Sequence, residues 1–130
     1  VAKTGKQHLG QKGEELACRF LEQQGHTLLF RNWRSGRSEL DIISREGNTL
    51  VVSEVKSFYR PPLGAPESRV NKSKQRSVIR GVYGFLDEHQ DYRNMDVRLD
   101  VIVVDFSQYP AAIRHYPGAF YDTGYDDPYS

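Results

Sequence analysis

The chain has 130 residues, 18 Lys and Arg against 17 Asp and Glu, a formal net charge of +1, and 38% apolar and 27% charged residues, which bounds one domain with one core. Its longest apolar stretches run four or five residues, as from Val101 to Val104, against the roughly 20 that a membrane span needs, and nothing near its start has the form of a signal peptide; a cytoplasmic protein without a membrane partner is expected. The lone Cys18 excludes an internal disulfide, no Cys/His spacing matches a zinc site, and His8, His26, His89 and His115 are too dispersed to read as ligands.

Leu9, Leu16, Ala17, Phe20 and Leu21 recur at helical spacing and Gly25 follows as a stop, predicting a helix of about four turns that ends near Gln24. Strands are expected over His26 to Asn32, Glu39 to Ser44 and Thr49 to Ser57, the last two joined by Gly47-Asn48, a two-residue hairpin signal. Pro61-Pro62, Gly64 and Pro66 make Tyr59 to Glu67 a loop. Val78, Ile79, Val82, Phe85 and Leu86 form one face of a second helix from about Asn71 to Glu88. Val97 to Asp105 reads as a buried strand and Ala112 to Tyr116 as a short edge strand. The order is α-β-β-β-α-β-β: an α/β domain over residues 1–116, with a central mixed sheet of four to five strands flanked by helices, and an irregular C-terminal tail over 117–130.

Charge is unevenly distributed along this order. Lys56 to Arg80 holds seven bases and one acid, whereas Gly81 to the end holds nine acids and three bases. A basic middle in a nearly neutral chain points to a local polyanion-binding surface. Lys72, Arg76 and Arg80 lie at four-residue steps along the second helix, and Lys74 lies nearer its buried edge.

The hairpin carries the chemistry. With Gly47-Asn48 as the turn, Glu46 pairs with Thr49, which puts Asp41 opposite Glu54 and Glu39 opposite Lys56. Opposed side chains have Cβ atoms about 4.5–5.5 Å apart, close enough for two carboxylates to share a divalent cation. Leu50, Val52, Glu54 and Lys56 share one strand face, so an acid and a lysine end an apolar row and need a cleft, a metal or each other. Glu14, three residues before Ala17 and seven before Leu21, falls on the packed side of the first helix and offers a third carboxylate. Oxygen ligands of this kind suit Mg²⁺ or Mn²⁺, which polarise phosphate and acidify bound water. Lys56 beside them could assist the attacking water and stabilise charge on the phosphate. A surface Asp, a Glu–Lys ion pair and a capping Glu are the ordinary alternative for each residue alone.

Asp41 followed one hairpin later by Glu54-Val55-Lys56 resembles the PD-(D/E)XK nuclease core. Gly13-Glu14-Glu15-Leu16-Ala17, Arg31-Asn32-Trp33-Arg34, Glu39-Leu40-Asp41-Ile42-Ile43, Val52-Ser53-Glu54-Val55-Lys56, Lys74-Gln75-Arg76, Arg98-Leu99-Asp100-Val101 and Ala119-Phe120 together resemble the YraN-like family, bacterial proteins related in fold to archaeal Holliday-junction resolvases. That resemblance implies a restriction-endonuclease-like fold and an active site at Glu14, Asp41, Glu54 and Lys56, with Glu39 and Lys74 as further members. It also implies metal-dependent hydrolysis of DNA, branched DNA included, and a homodimer. Ser38, Ser53 and Ser57-Phe58 depart from the family pattern. The last departure removes an expected phosphate contact.

Arg31, Arg34 and Arg37 flank Trp33 ahead of Asp41. They either grip a phosphate backbone while the indole stacks on a base, or are solvated around a Trp that covers the core. Cys18 reads as core filler. The leading expectation is a Mg²⁺- or Mn²⁺-dependent endonuclease; the alternative is a non-catalytic nucleic-acid-binding or partner-binding module on the same fold.

Overall fold

A computed structural model describes residues 5–61, 63, 64 and 70–122. The elements are α1 (Gly5–Gln23), β1 (Thr27–Ser35), β2 (Ser38–Glu46), β3 (Thr49–Phe58), α2 (Lys72–Glu88), β4 (Asp96–Asp105) and β5 (Ala112–Phe120), with a 3-10 turn over Gln90–Tyr92. This is the α-β-β-β-α-β-β order expected from the sequence. The strands form one sheet in the order β1-β2-β3-β4-β5, and every pair is antiparallel except β3 with β4. A parallel pair needs a long crossover, and α2 supplies it.

The hairpin turn does set the register: Gly47 takes φ 58° and Glu46 pairs with Thr49, then Arg45 with Leu50, down to Ile42 with Ser53. Strand alternation then divides the apolar residues between two layers. Ile42, Ile102 and Val104 pack under Ala17, Cys18 and Leu21 of α1. Leu50, Val52, Leu99, Val101 and Val103 pack under Val78, Val82 and Phe85 of α2. Full burial of a side chain such as Phe85 stabilises by about 1.5–3 kcal/mol.

Both helices end on identifiable signals. Gly25 at φ 93° lets the chain turn back after α1, with the His26 amide donating to the Leu21 carbonyl at 2.9 Å. At α2 the Asn71 side chain caps the Lys74 amide at 2.9 Å, which fixes the turn that carries Lys74.

Two boundaries differ from expectation by more than two residues. β1 continues through Ser35, so Trp33 and Arg34 belong to a strand and not to a connection. β5 continues past residue 116, where the irregular tail was expected to begin, as far as Phe120. Val101 pairs with Tyr116 and Leu99 with Phe120, so residues 117–119 bulge opposite Asp100, with Gly118 at φ 60°. An edge strand tolerates the missing N–H of Pro117 at such a bulge. The remaining tail over 123–130, and residues 62 and 65–69 of the expected loop, lie outside the described residues. No helix among the described residues is long and apolar enough to cross a membrane.

Candidate active site at the end of the central sheet

Glu54 and Lys56 extend the Leu50–Val52 row towards α2 and end an apolar face with charge. The Glu54 side chain is only 5% exposed, and Lys74 of α2 reaches it, Nζ lying 3.3 Å from Oε1; Lys56 Nζ lies 3.9 Å from the same oxygen. Asp41 sits one step beyond Ile42–Ser53, the last β2–β3 pair, and there its Oδ2 accepts the Val55 backbone N–H at 2.9 Å. Its carboxylate therefore takes the place of a ladder carbonyl where the two strands part.

These carboxylates are held uncomfortably. Burial, then the charge of Asp41, pushes the Glu54 carboxyl up to about 7 against the opposing pull of Lys74 and Lys56. Burial also raises Asp41, although the Val55 N–H and the two lysines act the other way. Burial alone would depress Lys74, but the charges of Glu54 and Asp41 more than offset it and raise its pKa. Buried acids that stay above their ordinary range beside two ammonium groups mark a desolvated, charge-dense pocket.

Glu14 comes to this end of the sheet from α1. Its Oε2 lies 3.7 Å from Arg31 Nη2, and the Asn32 side chain hydrogen-bonds to it. Burial, then the charge of Asp41, raises its pKa, so the two carboxylates sense one another. Gly13 permits the approach, since a Cβ there would stand 1.8 Å from Ser57 Oγ. Among the described residues, no three His, Cys, Asp or Glu side chains converge closely enough to form a ready metal cage. The structure thus groups Asp41, Glu54, Lys56 and Lys74, with Glu14 approaching Asp41 from the α1 side.

The other expected residues fall around this cluster. Arg34 pairs with Glu39 at 3.1 Å. Gly10, Gln11, Glu14, Arg31, Arg34 and Glu39 line much of an open groove of about 760 Å³. Arg37 is exposed in the β1–β2 turn; Lys72 and Arg80 are exposed along α2, and Arg76 is half-buried. Trp33 packs edge-on against Phe85 at 5.3 Å, as a wall of the core. Its indole is half-buried in that packing. A largely apolar cavity of about 250 Å³ between α2, β4 and β5 is lined by none of Asp41, Glu54, Lys56 and Lys74, although Arg98 and Asp122 border it.

A second polar cluster escaped the sequence reading. Arg98 makes two bonds to the fully buried Asp100, Nε to Oδ1 at 2.9 Å and Nη2 to Oδ2 at 3.0 Å, and a third from Nη1 to Glu46 at 2.9 Å. His115 Nε2 and the Gly118 N–H complete Asp100 at 2.7 and 3.0 Å. His26 bridges Glu46 and Ser44 at 3.2 and 2.9 Å.

Residues 13–104 match the model of the uncharacterised protein family UPF0102, a span that takes in β1 to β3 and α2 but ends before β5. The chain belongs to the UPF0102 family. A UPF0102 protein of Anaeromyxobacter dehalogenans is 35% identical over 116 residues, 89% of this chain and 86% of the relative. One from Geobacter metallireducens is 38% identical over 114 residues, 86% and 91% of the two chains. A third, from Christiangramia forsetii, is 33% identical over 113 residues, 87% and 93%. The UPF0102 match over residues 13–104 thus takes in Glu14, Asp41, Glu54, Lys56 and Lys74 together.

Proposed function

We propose that this protein is a metal-dependent endonuclease of the PD-(D/E)XK type, hydrolysing phosphodiester bonds in DNA, branched or otherwise structured DNA included. The observation that carries this reading is the buried Glu54 carboxylate at the strand end beside Asp41, with Lys74 and Lys56 at 3.3 and 3.9 Å from one of its oxygens. Hard carboxylate oxygens fit Mg²⁺ or Mn²⁺, and Mg²⁺ commonly uses only one or two protein carboxylates and keeps its waters. Asp41 and Glu54 would hold the ion, with Glu14 supporting it from the α1 side. When bound, the metal supplies Lewis acidity towards a phosphoryl oxygen and a more acidic water.

The chain's own groups do the rest. The Val55 N–H orients the Asp41 carboxylate. Lys56, a third exposed at the rim, holds the attacking water and stabilises charge developing on phosphorus. Lys74 balances the buried acids from the other side. Arg31 and Arg34, ion-paired to Glu14 and Glu39, exchange those partners for backbone phosphates. The basic stripe of Lys72, Arg76 and Arg80 extends the track along α2, and a homodimer would bring two such tracks to one branched substrate.

The test is divalent-dependent strand cleavage on linear and branched DNA, abolished by Asp41→Ala or Lys56→Ala. A non-catalytic nucleic-acid-binding or partner-binding module is the rival reading. It draws on Lys74, which already supplies Glu54 with a cationic partner. Unchanged DNA affinity without cleavage in any metal would select it, and stronger competition by RNA than by DNA would redirect the substrate class.

A further inference from the structure

Asn32 is the one non-glycine residue with positive φ, 51°, among the described residues, and it lies inside β1. Asparagine tolerates this left-handed region better than most side chains, yet a strand interior is not where it normally occurs. Such an outlier persists only where the surroundings hold it, and it clusters at working sites.

Its effect on the sheet can be read from the core. Phe30 and Trp33, three residues apart, both pack into the α2 layer. On the neighbouring strand Leu40 and Ile43, again three apart, share that layer, while Ile42 packs under α1. Regular alternation would put residues three apart on opposite faces. Each strand therefore loses one step of alternation, and the two losses lie side by side. Arg31 pairs with Ile42 and Trp33 with Leu40, which brackets Asn32 and Asp41 on one rung. There Asp41 turns its carboxylate onto the Val55 N–H, and Asn32 and Glu14 line one groove, where the Asn32 side chain hydrogen-bonds to Glu14 and Arg31 lies 3.7 Å from it.

We propose that Asn32 is a positioning residue of the metal cleft: its left-handed backbone turns Asp41 to the sheet end, and its side chain holds Glu14 facing Asp41 across the break. This rests on the nuclease reading above, because the cleft it serves is the one assigned to Mg²⁺ or Mn²⁺. A residue that merely relieved strand geometry would act on the fold alone. Asn32 acts through Glu14 as well, and the two roles separate by substitution. Asn32→Gly keeps the backbone conformation and deletes the amide. Asn32→Ala deletes the amide and also penalises the backbone.

The experiment is calorimetric titration with Mn²⁺, alongside urea unfolding of the metal-free protein. Asn32→Gly is expected to keep the unfolding midpoint and to weaken Mn²⁺ binding by about 10–100-fold, the usual effect of losing a residue that orients a ligand. Asn32→Ala is expected to show the same weakening with a lower midpoint. In a Glu14→Gln background, Asn32→Gly should weaken binding no further. Mn²⁺ affinity of Asn32→Gly equal to that of the unchanged chain overturns the inference and leaves the nuclease reading standing, as does an equal loss with and without Glu14. Absence of Mn²⁺ binding by the unchanged chain overturns both, and it is seen before any variant is made.

Discussion

The two faces of the sheet bury the same kinds of charged residue and leave them in opposite states. Under α1, Asp100 has every oxygen engaged: Arg98, the Gly118 N–H and His115 outweigh the burial that would raise its pKa, and they hold it below the ordinary range. Glu46, at the exposed end of that chain of contacts, is likewise lowered by Arg98. Under α2, Glu54 is almost as buried, but its neighbours are a second carboxylate and two lysines that do not compensate it, and it rises to about 7. Desolvation is common to both; what differs is planar, bidentate guanidinium recognition on one side against ammonium groups at 3.3 and 3.9 Å on the other. The first arrangement holds its acid ionised, and the second leaves its acid ready to take up a proton.

That contrast breaks most visibly at Arg98. Arg98→Ala leaves Asp100 buried without its main partner and is expected to cost about 3–5 kcal/mol in urea unfolding at pH 7. The corresponding truncation at the cleft, Lys74→Ala, should cost much less, because Glu54 can take up a proton instead. A similar loss at both positions would erase the distinction.

The next effect has the opposite sign. Glu54 titrates near 4.3 when unfolded and about 7 when folded, so between those values the native state binds the extra proton and stability falls as pH rises. In metal-free protein, Glu54→Gln should therefore gain about 1–3 kcal/mol at pH 8, with the gain vanishing below about pH 4. Asp100 behaves inversely: its folded pKa is depressed, so its contribution is present above the unfolded value and is lost as pH falls through the folded one. Unfolding curves of wild type and Glu54→Gln across pH check both signs. A variant no more stable at pH 8 would contradict the electrostatic strain assigned to the cleft.

Smaller again is the close approach of α1 to β3. Gly13→Ala places a Cβ against Ser57 Oγ and Cβ, at 1.8 and 2.9 Å before adjustment. Overpacking, less the better helix propensity of alanine, should cost about 1–2 kcal/mol by urea unfolding. Least of all for stability are Lys72→Ala and Arg80→Ala on the exposed face of α2, expected within about 0.5 kcal/mol of wild type. If the stripe binds DNA backbone, each should lower the salt dependence of binding by about one unit of slope. An unchanged slope would return the stripe to plain solvated surface.

The part of this arrangement legible in sequence is the part governed by local rules. Gly47-Asn48 places Glu46 opposite Thr49, and the observed pairs follow that count to Ile42–Ser53, where the ladder ends; the expected pairs Asp41–Glu54 and Glu39–Lys56 do not form, Asp41 accepting from the Val55 N–H and Glu39 pairing with Arg34. The period-two row Leu50, Val52, Glu54, Lys56 and the buried-edge position of Lys74 on α2 were equally readable, because each depends on one element's periodicity. What eluded sequence depends on contacts between distant segments. No glycine or proline marks the break at Asn32, and an asparagine inside an apparent strand end gives no warning of φ 51°. His26 and His115 looked dispersed because 89 positions separate them in the chain, yet Arg98 links their partners, Glu46 and Asp100. Trp33 could be read either way from its flanking arginines, and only Phe85, over fifty residues on, decides it.

The most direct measurement is the anomalous scattering of a crystal of this protein grown or soaked in Mn²⁺. A manganese peak is expected beside the carboxylates of Asp41 and Glu54, lost in Glu54→Gln. Ordered crystals that saturate with Mn²⁺ elsewhere, or show no peak beside those two side chains, would contradict that site.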